Sequence, residues 1–144
     1  MMDFGCHRLE VLTNLFGTAK RTASLVSNEI FKREVEDTAA VSLQFENGTC
    51  AALIVTHAAR EAQDTLDIFG TEGSIQVPVL NKAELKIKTE NGERCENHPP
   101  HRNAHQPLIE DFTESVLHNR QPRINGATGK QIAEITEKIY RSDR

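Results

Sequence analysis

Hydrophobic positions along the chain change period several times, and each change marks an element. Leu9, Leu12, Leu15 and Phe16 recur at three- and four-residue spacing. This predicts an amphipathic helix from near Asp3, closed by Gly17 in the position a left-handed cap favours. Residues 20 to 31 predict an extended segment, with Ala23, Leu25 and Ser27 on one side and Val26 on the other. Thr38 to Phe45 alternates, Asn47-Gly48 supplies a positive-φ turn, and Thr49 to Thr56 returns, so an antiparallel hairpin is expected. Residues 64–69 and 74–77 form a second pair around the turn Gly70–Gly73. Ala83 to Thr89 begins a third, turning at Asn91-Gly92 and returning through Glu93 to Glu96 as a polar edge, with Lys82, Lys86 and Lys88 as a solvated face that protects the edge. Pro107 opens a helix striped by Leu108, Ile109, Phe112, Val116 and Leu117. Ile132, Ile135 and Ile139 stripe a last helix ending before Arg141, and residues 119 to 129 between the two read as a polar connection.

Hairpins in the middle and helices at the two ends imply an α+β fold. The expectation is a two-layer single domain over residues 1–144: an open, mainly antiparallel β-sheet with helices on one face. Small and apolar residues occupy both alternation sets of the Thr38–Thr56 hairpin. The face without helices is therefore expected to meet a second sheet, making a homodimer or higher symmetric oligomer.

Composition narrows the classes. With 144 residues, 38% hydrophobic and 26% charged, the chain is that of an ordinary globular domain with a real core. A net charge of -4, with the basic residues scattered, argues against nucleic acid and against anionic membranes. No apolar run approaches the roughly 20 residues a membrane helix needs, and no signal-peptide core opens the chain, so the expected compartment is the cytoplasm. Cys6, Cys50 and Cys95 are odd in number and widely spaced, fitting neither a disulfide framework nor a zinc motif. His98, His101 and His105 invite a metal, but Pro99 and Pro100 hold the first two apart and no helical H-x-x-x-H face exists, so no metal site is expected. Gly70 and Gly73 read as a turn rather than a phosphate cradle, since no lysine and no helix follow.

The remaining chemistry sits at the first helix. Asp3 and His7 stand four apart, which places both on one face. The positive end of the helix dipole favours an ionised Asp and a neutral imidazole, the form that accepts a proton near neutral pH. The same spacing also suits a plain N-cap aspartate followed by an ordinary helical histidine. Cys6 beside His7 is a poor nucleophile, because adjacent helical side chains point about 100 degrees apart.

The run Asp3-Phe4-Gly5-Cys6-His7-Arg8-Leu9-Glu10 resembles the D-x-G-x-H-x-(hydrophobic)-(acidic) segment of the Gfo/Idh/MocA oxidoreductases, relatives of glucose-fructose oxidoreductase and inositol dehydrogenase. Glu10 stands where that family more often has Asp. The likeness continues in order through Glu36-Asp37-Thr38-Ala39, Phe45-Glu46-Asn47-Gly48-Thr49, Gly70-Thr71-Glu72-Gly73-Ser74-Ile75, Ile109-Glu110-Asp111-Phe112 and Ile139-Tyr140-Arg141-Ser142. The resemblance is to the C-terminal domain alone, since the Gly-rich dinucleotide motif and the E-K-P segment with its lysine are missing.

What the resemblance implies is the substrate-binding and oligomerisation half of an NAD(P)-dependent sugar or cyclitol oxidoreductase, incomplete as a catalyst by itself. His7 would transfer a proton or contact a hydroxyl, and Asp3 would orient His7 or the substrate. Asn103 and His105, just ahead of the I-x-D-F helix, would hydrogen-bond a small polyol, although His105 also suits a plain helix N-terminus. No cofactor is expected on this chain alone; NAD or NADP is implied if a partner Rossmann domain, for instance one separately encoded, supplies the site. The competing reading is a non-catalytic dimerisation or ligand-binding module from a truncated or split gene.

Overall fold

The computed structural model describes Met1 and residues 3–142. Internal contacts divide the chain into two compact units, Met1–Arg60 with Arg123–Arg144, and Glu61–Pro122.

The first unit holds α1 (Phe4–Phe16), β1 (Ala19–Ser27), β2 (Thr38–Phe45), β3 (Cys50–Thr56) and α3 (Gly126–Ser142). The three strands form an antiparallel sheet in the order β1-β2-β3. Its inner face carries Ala39, Val41, Leu43 and Phe45 of β2, all buried. Leu9 and Leu12 of α1 and Ile132, Ile135 and Ile139 of α3 complete the core, and the rings of Phe16 and Phe45 lie 5.5 Å apart. Each fully buried side chain of this size stabilises by about 1.5–3 kcal/mol. Leu15, counted in the helical stripe, is instead half exposed. Gly17 ends α1 with φ 87 and ψ -148, outside the left-handed helical region the sequence suggests, because the chain must already extend to enter β1. The Gly17 N–H still closes the helix on the Thr13 carbonyl at 2.8 Å.

Alternation leaves the other face of this sheet open. In register across it lie Ala23, Ser42 and Ala52, and next to them Leu25, Ala40 and Ile54. Leu25 is 75% and Ile54 73% exposed.

Polar ties join α3 to β1 and to the loop ahead of β2. Ser24 Oγ on β1 donates to the Ile139 carbonyl at 2.6 Å. Tyr140 donates to Glu36 at 2.5 Å, and the amino group of Met1 donates to the same carboxylate oxygen. Burial pushes the Glu36 pKa up, but these hydrogen bonds outweigh it and hold the group below its ordinary 4.5. A carboxyl with a depressed folded pKa contributes stability that is present above its unfolded value and lost as pH falls through the folded value. The urea midpoint is therefore expected to stay level above about pH 5 and to fall below pH 4.5. Glu36→Gln should make that acid slope shallower without abolishing it, since Asp37 is depressed as well.

α3 starts at Gly126, inside the stretch read as connection. Asn125 Oδ1 accepts the N–H groups of Ala127 at 2.9 Å and Thr128 at 3.3 Å, a side-chain cap that outweighs the two helix-weakening glycines.

The second unit holds β4 (Leu66–Gly70), β5 (Gly73–Val77), a single 3-10 turn (Leu80–Lys82), β6 (Glu84–Thr89), β7 (Gly92–Asn97) and α2 (Gln106–Leu117). Its sheet is antiparallel in the order β4-β5-β6-β7. Ile68, Ile75 and Ile87 align across one half-buried face. Lys86 and Lys88 project from an inner strand, so they dress the opposite face rather than guard an edge; β4 and β7 are the edges. The exposed Lys88–Glu93 pair at 2.7 Å spans β6 and β7 and contributes little in water. The stripe of α2 forms as expected, yet Leu108, Ile109, Phe112, Val116 and Leu117 are all exposed, and only Ser115 of that helix is buried.

The α+β class with open antiparallel sheets is thus as the sequence implies. The strands, however, fall into two sheets of three and four, because side-chain alternation fixes which face a residue takes and not which hairpin its strand joins.

Candidate functional site

Asp3 occupies the N-cap position of α1 with φ -85 and ψ -86, and its side chain makes no cap hydrogen bond. The carboxylate instead points outward, and its Oδ2 lies 3.9 Å from Nε2 of His57. That is an electrostatic approach rather than a hydrogen bond. The His57 ring rests on Phe4, with centroids 5.0 Å apart and planes tilted by 42°. Cys6 Sγ donates to the Asp3 carbonyl at 3.0 Å, and none of the three cysteines is in a disulfide. His7, four residues along α1 from Asp3, is exposed.

His57 is placed by backbone geometry. It follows directly on β3, and its N–H donates to the Asp37 carbonyl at 2.9 Å. Asp37 is itself buried, at 4% exposure, and its Oδ2 accepts the N–H groups of Phe31 at 2.9 Å and Ile30 at 2.8 Å. The Phe31 N–H, opposed by burial and aided by the Ile30 N–H, holds the Asp37 carboxyl below its ordinary range. The end of β3 is thereby anchored to a loop that grips its own carboxylate.

Beside Cys6, a groove of about 480 Å³ runs along α3, lined mainly by Ile132, Ala133, Thr136 and Tyr140. Its walls are largely apolar, so it offers little to orient a polyol.

Asn103 and His105 belong to the second unit. Asn103 Oδ1 accepts the His105 N–H at 3.1 Å, and its carbonyl accepts the Gln106 N–H at 3.1 Å, so Asn103 builds the turn that starts α2. His105 is the N-cap residue of α2 and makes no side-chain cap bond. The other two imidazoles of that loop go separate ways: His98 Nε2 meets Glu96 Oε2 at 3.0 Å, and His101 Nδ1 lies 3.1 Å from the Asn103 N–H that it accepts. Among the described residues, no three metal-ligating side chains come together. No helix among them is long and apolar enough to cross a membrane.

The structure therefore brings Asp3 to a residue that no sequence pattern singles out. His57 follows a strand with clean alternation, and nothing in the local pattern separates it from an ordinary residue leaving a strand. Only the packing of α1 beside β3 puts it at Asp3.

The profile of the GFO/IDH/MocA C-terminal domain matches residues 1–76. Among solved structures, an aldose-aldose oxidoreductase from Caulobacter crescentus, complexed with glycerol, has a TM-score of 0.87 at 20% identity, covering 99% of this chain and 44% of that one. A UDP-N-acetylglucosamine 3-dehydrogenase from Acidithiobacillus ferrooxidans gives 0.86 at 22% identity, with 98% and 46% covered. An oxidoreductase from Agrobacterium radiobacter, in complex with NAD+, L-tartaric acid and magnesium, gives 0.84 at 20% identity, with 98% and 46% covered. The chain spans just under half the length of these proteins, and at such identity the likeness is one of fold. A comparison with curated protein sequences finds no match.

Proposed function

We propose that this chain, which belongs to the GFO/IDH/MocA family through its C-terminal domain, is the substrate-binding and assembly half of an NAD(P)-dependent oxidoreductase acting on a sugar or cyclitol. The observation that carries the reading is the state of Asp3: a carboxylate at the N-cap that makes no cap bond and faces outward, one turn ahead of the exposed His7. An aspartate kept only for capping would bond the first-turn N–H groups. In the proposed site His7 accepts the proton of a substrate hydroxyl, and Asp3 orients the substrate or His7 itself. Asn103 and His105, in the second unit, are proposed as polyol contacts in their own right. Asn103 keeps its side-chain N–H groups for that purpose, because only its oxygen is engaged in the turn.

The described residues do not fit a dinucleotide. Both sheets are antiparallel, whereas the pyrophosphate cradle of a doubly wound fold needs a parallel strand feeding a Gly-rich turn and a helix. The nicotinamide cofactor is accordingly assigned to a Rossmann domain that meets this chain. The open face of the β1-β2-β3 sheet is assigned to a second copy, because its exposed apolar side chains stand among small ones that let another sheet approach closely. Three cysteines outside any disulfide suit a reducing cytoplasm. Titration of the chain with a polyol and with NADH tests the division of labour: the first should bind and the second should not.

A further inference from the structure

We infer that His57 is a polar group of the polyol site beside Asp3 and His7 and that it acts together with Asp3 on one substrate hydroxyl. The inference rests on the substrate reading of Asp3 and His7. Its own support is the geometry around His57.

The Asp3 carboxylate and the His57 imidazole are 3.9 Å apart, too far to satisfy each other and close enough to share a guest. An oxygen about 2.8 Å from both atoms would sit between them with an angle of about 90° at that oxygen, which a hydroxyl accepts. A hydroxyl is the group that fits both ends, since it donates one hydrogen bond to the carboxylate while a lone pair receives the Nε2–H of His57. A carbonyl in the same place has no proton for Asp3, so the pair favours an alcohol over the corresponding ketone.

Position and access agree. His57 is 42% and Asp3 72% exposed, so a solute reaches both. The imidazole is nevertheless held: its backbone is anchored to Asp37, and its ring lies on Phe4, the neighbour of Asp3. The polar groups that face it are Asp3 from α1 and, through the backbone, Asp37 from the start of β2. A side chain fixed by packing on a rigid strand end is the arrangement that orients a ligand at low entropic cost.

The test follows the imidazole proton signals of His57 and His7 by NMR while the full chain is titrated with myo-inositol, and repeats the titration with His57→Phe and His57→Gln. Phenylalanine keeps the ring contact with Phe4 and removes the hydrogen bond; glutamine restores a donor. Both histidine signals are expected to move along one saturation curve. His57→Phe should weaken inositol binding about tenfold at an unchanged urea midpoint, the loss of one hydrogen bond to a substrate, and His57→Gln should recover part of it. A His7 signal that moves while His57 stays still, or a His57→Phe variant that binds as the parent does, overturns the role of His57 and leaves the substrate reading standing. Inositol that moves neither signal overturns both. Should His57→Phe fail to fold, the parent titration and His57→Gln decide alone.

Discussion

Gly73→Ala is expected to destabilise the four-stranded sheet by about 3 kcal/mol, at the upper end of what overpacking costs. A Cβ on Gly73 would stand 2.1 Å from the Lys88 carbonyl oxygen, 3.1 Å from its carbon and 3.2 Å from the Thr89 Cα. All three atoms are backbone of the neighbouring strand, so no rotamer change relieves the contact. Relief requires β5 and β6 to separate where Gly73 pairs with Thr89, and the turn Gly70–Gly73 that joins β4 to β5 would move with them. Gly5→Ala is the informative control. There the new methyl would meet Met1 at 2.6 Å from Sδ and 2.7 Å from Cε, the far end of a flexible side chain that can swing away. Urea unfolding of the two variants should show a large loss for Gly73→Ala and a small one for Gly5→Ala; equal, small losses would mean that the close approach of β5 and β6 is not present in solution.

The second large effect concerns assembly. Ile54→Asp should turn an oligomer joined through the open face of β1-β2-β3 into a monomer, weakening association at least a hundredfold, or about 3 kcal/mol. Ile54 is paired in register with Ala40, which is paired in turn with Leu25, so a carboxylate at 54 falls at the β3 end of that apolar row. Two copies facing each other would bury it without a partner. In the lone chain Ile54 is 73% exposed, so the substitution leaves the inner core of Leu9, Phe45 and Ile139 untouched. Light scattering should report a smaller particle with a melting transition that no longer depends on concentration. A variant that keeps the parent's mass would move the interface elsewhere, with the exposed stripe of α2 next to be tested.

The hairpin of β2 and β3 was legible in the sequence because three local signals agree there: alternation on both arms, β-branched and small residues, and Asn47-Gly48 at the turn, where Gly48 has φ 89. The start of α1 and the stripe of α3 were legible for the same reason, since a 3.6-residue period speaks without reference to the rest of the chain. Features that depend on distant partners were not. Asp64, read as part of a strand, instead makes an isolated parallel bridge with Val79, and β4 begins at Leu66. Gly126 and Gly129 look like breakers until Asn125 is seen to cap them into α3. At the candidate site, Asp3 and His7 could be named from their spacing and resemblance, whereas His57 could not, because its meeting with Asp3 joins residues more than fifty positions apart. The turn role of Asn103 depends on a hydrogen bond to a backbone N–H two residues on, a local motif that the polar loop concealed among its other candidates.

The division of labour between this chain and a cofactor domain stands or falls on a pair of titrations of one sample of the purified chain, first with NADH followed by its fluorescence and then with myo-inositol followed by calorimetry. No saturable response to NADH is expected, and a saturable response to inositol is expected that is lost in His7→Ala. Saturable NADH binding by this chain alone would overturn that division, for the nucleotide site would then lie within residues whose sheets are both antiparallel.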